Sequence, residues 1–571
     1  MELATSRPRV LGWLRSAAIL DGDWGTSLAY VLGIAFYHAG YFSGLHLLMM
    51  LIFTSMIAMN YITICRLYPN GGGVYSSVCH RSRHLAVVGA LLLCADYVVT
   101  ASLSVLAGCH YLGLANPEIW AIAIIFCIGA LNWFGPRNVG TIAIIISTAT
   151  LVVLLTLIVI VFPAATKQIT LEIAPGGIMT NWSFFVAIIL SISGIEAISN
   201  MTGVMKEPVK DSRKAILAVF AKISIATVVL GLAMLAISNL NQVDHKEDMI
   251  RYIGELYVGN WFGIIVGIVL GFLLVSAGNT AINGLISVQF LMSVDGELPN
   301  SLRRLNKNGM PIIPVIIATL IPAIVLIIIH DVITLSALYA IGVVGAIMIN
   351  VGATGTDKTL KLSKVTRAFM IFSAVVLFLI ETTIVIEKTK ALIFASSVLV
   401  VGLTAREITR RRRAIVIAPA PVAGIPSIAI PKPEAFPFTN RVLVAVRGGG
   451  QTLLRQACEE AKLRSSFLFV LNVKEIAISG SLPDKVPGES FKDNKWMEEI
   501  CSQFAIPYKV ISIISNEVGY SIAEQAATLG VERLILGAPQ RSLVSKALRG
   551  DVIRMVSELL PEEIQLVIYR S

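Results

Sequence analysis

Three carboxylates stand inside stretches of the sequence that are otherwise apolar: Asp23, Asp96 and Glu196. An ionised side chain in hydrocarbon costs about 2.5–3.5 kcal/mol on insertion scales, so each of them needs a cation, a proton or a water path. Asp23 lies in Asp21-Gly22-Asp23-Trp24-Gly25-Thr26-Ser27, and Glu196 ends Ser191-Ile192-Ser193-Gly194-Ile195-Glu196. Glycine beside a carboxylate, followed in the first case by Thr-Ser, makes a poor continuous helix and a good helix break. Carbonyls freed at a break can ligate a cation, and Tyr30, Thr100 and Ser193 add hydroxyls. Carboxylate and hydroxyl oxygens together suit a hard monovalent cation. A substrate with its own carboxylate would want bare backbone amides at the first break, where the fixed charge of Asp23 would repel it. A carboxylate beyond those that one cation neutralises is a candidate proton carrier, and Glu196 and Asp96 are the candidates here.

Each of these residues also has a plainer reading. Asp23 could N-cap a helix whose first turn holds Thr26 and Ser27. Asp96 could pair with a basic residue, although the neighbouring spans offer none, and Glu196 could hydrogen-bond Asn200. Ser and Thr are common glue between membrane helices, and Asn279 and Asn283 could do the same or line a cavity. Tyr68-Pro69-Asn70-Gly71-Gly72-Gly73 reads as a tight re-entrant loop without chemistry of its own.

The elements that must position these groups follow from composition. The chain has 571 residues, 56% hydrophobic and 14% charged, with mean hydropathy +0.78. A soluble globular protein is about 25% charged, so this is a membrane protein. A spanning helix needs about 20 apolar residues. Twelve stretches qualify: 17–38, 43–66, 84–108, 117–134, 139–163, 182–204, 214–238, 259–292, 312–329, 332–352, 368–387 and 390–405. Lys and Arg concentrate in alternate loops, for example Arg81, Arg83, Lys206, Lys210, Arg303, Arg304 and the run Arg410 to Arg413. That pattern places both termini in the cytosol and the protein in the cytoplasmic membrane. The net charge of +10 reads as loops facing anionic lipid, not as nucleic-acid binding. No small-residue cleavage site follows the first apolar stretch, so it is expected to remain as a span. The seven Cys show no metal spacing and read as apolar fillers or free thiols. The first and sixth spans, both interrupted, occupy corresponding places in two halves of five helices. Paired broken helices of that kind point to a midplane binding site.

The apolar part ends near residue 405. Residues 414–439, rich in Pro and Ala, read as a semi-rigid linker. Residues 440–571 alternate strands (441–446, 466–473, 508–514, 533–536, 564–569) with helices (451–463, 517–529, 542–559). That alternation predicts a doubly wound α/β domain with a parallel sheet, and it shows no cluster of catalytic residues.

Gly22-Asp23-Trp24-Gly25-Thr26-Ser27-Leu28-Ala29-Tyr30 resembles the signature opening the first helix of the KUP/HAK/KT potassium-uptake family. Tyr68 to Tyr75, Asp96-Tyr97-Val98-Val99-Thr100, Gly194 to Asn200 and Ala277 to Thr280 are similar to its KimA branch, and the likeness runs over about residues 12–400. Single stretches occur in amino-acid permeases of the same APC superfamily as well. The resemblance implies a LeuT-like fold of two inverted five-helix repeats, a homodimer joined through the cytosolic part, and proton-coupled potassium uptake. It puts the potassium site on Asp23, Tyr30, Asp96, Thr100 and Glu196, with Ser193 where the branch has Thr. The tail resembles a universal stress protein domain. The family's nucleotide-loop positions fall on Gly537, Gln540, Gly550 and Asp551, with Arg447 and Gly448 after the first strand. Asp551 and the lost second glycine disfavour the family's usual manner of holding ATP; AMP, ATP or cyclic di-AMP held near Arg447 and Gly448 remain candidate ligands, with a purely dimerising or stabilising domain as the alternative. The expected function is therefore potassium–proton symport, with an amino-acid or polyamine permease as the alternative reading. No enzyme activity and no resident cofactor or metal are expected.

Overall fold

A computed structural model describes residues 5–6, 9, 11–135, 139–166, 172–416, 440–446, 450–476, 495–537 and 551–569. The membrane part begins with α1 (Trp13–Asp21) and α2 (Ser27–Ala39), joined by a 3₁₀ turn over Trp24–Thr26. Gly40, at φ +53°, reverses the chain into α3 (Ser43–Leu67). There follow a short α4 (Val74–Cys79), then α5 (Arg83–Tyr111), α6 (Pro117–Phe134) and α7 (Val139–Ala165). Next come α8 (Gly177–Ala187) and α9 (Ala197–Met201), then α10 (Pro208–Leu235), α11 (Met249–Tyr257) and α12 (Asn260–Val294). The bundle ends with α13 (Ile312–Ile328), α14 (Val332–Thr356), α15 (Lys364–Glu387) and α16 (Thr389–Val416).

Among the described residues nine helical segments are long and apolar enough to cross a membrane, or ten if the bent pair 177–187 and 189–204 is one span. One of the nine, Trp24–Leu67, contains both α2 and α3, and α13 is a shorter apolar helix. Each of the twelve stretches expected from hydropathy therefore carries a helix. Leu, Ile, Val and Ala dominate these helices, and away from the breaks each helix satisfies its backbone groups within itself, as lipid demands. Wide apolar faces remain exposed, for example Ile142, Ile145, Val152 and Val159 on α7 and Phe372, Val375 and Phe378 on α15. α5 and α14 are buried nearly all round and form the centre of the bundle.

Both expected breaks are present. α1 stops at Asp21, and α2 starts only at Ser27. The sixth span bends by 43° after Ala187, passes through a 3₁₀ turn (Ile189–Ile192), is extended at Ser193 and turns at Gly194 before α9.

The C-terminal domain is a six-stranded parallel sheet in the order β1-β4-β3-β2-β5-β6. Its strands are β1 (Thr5–Ser6), β2 (Arg441–Val446), β3 (Phe467–Glu475), β4 (Tyr508–Ser515), β5 (Arg533–Gly537) and β6 (Gln565–Tyr569). The helices are α17 (Gln451–Leu463), α18 (Lys495–Gln503), α19 (Val518–Thr528) and α20 (Val552–Leu559). Alternate strand residues feed two apolar layers, one with Val442, Val444, Leu454 and Ile535, the other with Leu443, Phe469, Leu471 and Leu534. Two elements depart from expectation: α18, and the strand β1, which comes from the start of the chain and pairs with the edge of β4. The last membrane helix also runs on to Val416, beyond the expected linker boundary. The rest of the linker lies outside the described residues.

Candidate functional site

The two breaks touch. A Cβ on Gly194 would stand 2.5 Å from the Trp24 nitrogen, and Gly194 itself adopts φ +88°. Only glycine combines that backbone with that approach. The Trp24 indole donates to the Ser191 carbonyl at 3.1 Å, pinning one break against the other. Asp23 and Glu196 are thereby brought together, and the third partner arrives on α5. Asp96 lies halfway along that helix, with its backbone against Gly342 of α14, where a Cβ would sit 2.7 Å from the Asp96 nitrogen.

Asp23, Asp96 and Glu196 lie within electrostatic range of one another, and Tyr30 and Tyr339 face the same charges. All six residues expected at the site are buried: Asp23, Tyr30, Asp96, Thr100, Ser193 and Glu196 are each no more than 5% exposed. Thr100 donates to the Asp96 carbonyl at 2.8 Å and its hydroxyl lies 3.2 Å from Asp96 Oδ1. The Gly194 amide donates to Glu196 Oε2 at 3.1 Å. Ser193 and Tyr339 share a hydroxyl–hydroxyl hydrogen bond. Asp23 Oδ2 and Asp96 Oδ2 are buried without a partner, which is costly unless a proton or a cation joins them.

Several plainer readings are settled by these contacts. Asp23 makes no side-chain cap to the following turn, and Asn200 bonds Tyr97 instead of Glu196. Asn279 accepts from Asn132 at 2.9 Å, so it joins two helices. A crevice lined by Ser27, Thr54, Ser191 and Thr227 lies beside the breaks, but no acid lines it.

The loop Tyr68 to Gly73 closes one side of the site. Gly72 donates to the Ser199 carbonyl at 2.8 Å, Asn350 donates to the Gly72 carbonyl at 3.2 Å, and Asn200 Oδ1 fills the space that a Cβ on Gly73 would need. On the opposite side the Lys246 carbonyl packs against Gly33 of α2, and Tyr111 donates to the Ala29 carbonyl at 2.5 Å.

Sequence reasoning missed two features. Lys222 of α10 is a buried lysine whose Nζ lies 2.6 Å from both Asp21 oxygens, while Ser147 donates to Asp21 Oδ2 at 2.7 Å. A basic residue is therefore present within the spans, but it serves Asp21 and not Asp96. Its signal was Lys222 itself, a lysine well inside the seventh apolar stretch. Asp21 Oδ1 in turn occupies the place of a Cβ on Gly25, at the N-terminal end of α2. The second missed residue is Glu381 of α15, a further carboxylate inside an apolar stretch.

In the C-terminal domain, Arg447, Gly448, Gln540 and Gly550 lie outside the described residues. Gly537 ends β5 against Leu453, and Asp551 caps α20, accepting from the Ile553 amide at 3.0 Å. Asp551 thus has a structural role at one of the positions that the resemblance assigns to the nucleotide loop. Two of the free thiols, Cys458 and Cys501, lie 3.8 Å apart inside this domain.

Two interrupted helices crossing at buried acids, within a bundle of apolar helices, are the build of a solute transporter. The family model described as amino acid permease matches residues 11–403, and the chain belongs to that family, whose members are transporters and not enzymes. The match names this broader family and not the potassium-uptake branch. An uncharacterised protein of Methanocaldococcus jannaschii is 29% identical over 238 residues, 38% of this chain and 53% of that protein. The chain thus spans about half the length of the curated relative it matches. A crystal structure of a universal stress protein in complex with cAMP aligns with 23% of this chain and 98% of its own, at 13% identity and a TM-score of 0.19.

Proposed function

We propose that the protein carries potassium into the cell together with a proton, through the site formed by Asp23, Tyr30, Asp96, Thr100, Ser193 and Glu196. The observation that carries this reading is the buried meeting of three carboxylates, two of them with unpartnered oxygens, at the crossing of two helix breaks. A monovalent cation neutralises one charge, and protons neutralise the others. In a family that transports amino acids, a substrate carboxylate would dock at the positive N-terminus of α2. Here Asp23 precedes that end with an unpartnered oxygen, so a carboxylate would meet an acid there, while Asp21 over Gly25 is neutralised by Lys222. Alternating access follows if the Tyr68–Gly73 loop and the Lys246 segment open in turn. In the same reading the C-terminal domain joins two copies through β6, an edge strand with one open ladder side among the described residues. A nucleotide on that domain would regulate transport.

The family match favours a second reading, import of an amine or a cationic amino acid. Uptake of rubidium into proteoliposomes, competed with potassium, polyamines and amino acids, separates the two. Potassium symport predicts saturable rubidium uptake that dissipates an imposed pH gradient. Asp23→Asn, Asp96→Asn and Glu196→Gln should each weaken it about tenfold to a hundredfold, as expected for the loss of a charged ligand. Amine uptake that ignores potassium would replace this proposal with the second reading.

A further inference from the structure

α5 and α14 meet through two glycines one helical turn apart. At Gly342 the neighbour is the Asp96 backbone. At Gly345 the neighbours are Leu92, one turn before Asp96, and the carboxyl group of Glu381, whose Oε1 would lie 3.3 Å from a Cβ there. Glu381 belongs to the face of α15 that also presents Leu377 and Ile384 to α14. Its Oε2 is buried and has no partner. Three residues of α-helix rise about 4.5 Å, so the Glu381 carboxyl stands about one turn from Asp96 along the same seam. By the loop charges, that turn is toward the cytosol.

The groups around it are few. On the middle of α5 the nearest titratable residues along the chain are Cys94 and Asp96, and α14 carries Tyr339 before Gly342. α16 brings Arg406, which is already bonded to Glu297 and His84. α8 brings no titratable group, and α3 brings His46, Tyr61, Cys65 and Arg66. Among the described residues none of these forms an ion pair or hydrogen bond with Glu381. An unpaired carboxyl retained at membrane depth is expensive, and structure does not require it: it caps nothing and bridges nothing. Its reversible charge is what distinguishes it from a glutamine of the same shape.

We infer that Glu381 is a proton-carrying residue of the transport cycle, receiving the proton released by Asp96 and passing it toward the cytosolic side. The step is a transfer from the Asp96 carboxylic acid to the Glu381 carboxylate, leaving Asp96 ionised and Glu381 neutral. The proton would travel about one helical turn along the α5–α14 seam, between Gly342 and Gly345. The inference rests on the proposal that transport is proton-coupled.

The test uses the full-length protein in proteoliposomes with a pH dye inside and rubidium as the cation. Glu381→Gln should keep rubidium–rubidium exchange, which moves no net proton, within about twofold of the native protein. It should lower proton-driven net uptake by about tenfold or more, as expected for loss of a proton-transfer group, and flatten its pH profile. Glu381→Asp should restore most of the coupling. Native-like coupling in Glu381→Gln overturns the inference, as does equal loss of exchange and net uptake with no rescue by Asp. Failure of the native protein to exchange rubidium, or to move protons with it, would overturn the proposed function itself.

Discussion

Asp21 and Lys222 show how one ion pair can set the geometry of a site it does not enter. Their side chains are 2% and 10% exposed, and with Ser147 they tie the end of α1 to α10 and α7. Asp23, two residues on, inherits its position from that tie. Removing one partner of a buried pair leaves an uncompensated charge, at a cost of about 3–5 kcal/mol, whereas replacing both partners costs less. Lys222→Met should therefore lower the melting temperature markedly in detergent, and Asp21→Asn combined with Lys222→Met should recover much of the loss. Equal melting of the two variants would show that the uncompensated Asp21 charge is not the source of the loss. Glycines have the complementary role at this scale. Gly194 and Gly342 remove side chains where backbone carrying Asp23 and Asp96 must pass, so side-chain absence is as necessary as the acids.

Among the elements, α11 and the loop before it cover the side of α2 that the loop charges assign to the outside. His245 stacks on Tyr252 with ring centroids 3.8 Å apart and lies 3.1 Å from Asp248. The Asp248 hydrogen bond raises the His245 pKa above its usual value, burial opposes it, and the charges of Asp248, Asp244 and Glu255 add to the rise. Stability from this raised group is fully present below the ordinary histidine pKa of about 6.5 and is lost as pH climbs through the raised value. The group is partly exposed, so the effect is about 1 kcal/mol or less. Protection of the amides across residues 239–257, with exchange corrected for its intrinsic pH dependence, should be higher at about pH 5.5 than at about pH 8, and His245→Gln should abolish that difference. Lower protection at the lower pH would contradict the role given to His245.

Across the whole molecule, the membrane bundle and the C-terminal domain each own a core. The strands and helices of the latter enclose two apolar layers built from residues of that domain alone. The packing against the bundle is small by comparison: Ile476 and Ile514 against Phe290, Val294 and Leu305, plus the two-residue ladder of β1. Residues 440–571 expressed alone should therefore unfold cooperatively in circular dichroism. A protein ending at 416 should remain monodisperse in detergent and still transport. A molten isolated domain, or aggregation of the truncated bundle, would mean that the two parts fold as one. The fixed attachment of β1 also links the chain ahead of α1 to the sheet, a connection that joins the two ends of the sequence.

Hydropathy alone determined the membrane helices, because a lipid solvent penalises every unsatisfied polar group and leaves long apolar runs with no alternative to the helix. The same logic exposed Asp23, Asp96 and Glu196, since an acid in such a run is conspicuous. The alternation of strands and helices after residue 440 disclosed the second domain in the same local way. Only the tertiary structure decided partnership. That Lys222 belongs to Asp21 and not to Asp96, that Ser193 bonds Tyr339, and that Glu381 stands one turn below Asp96 all depend on which helices touch. Such contacts link residues 100 to 300 positions apart, and no periodicity along a single segment encodes them.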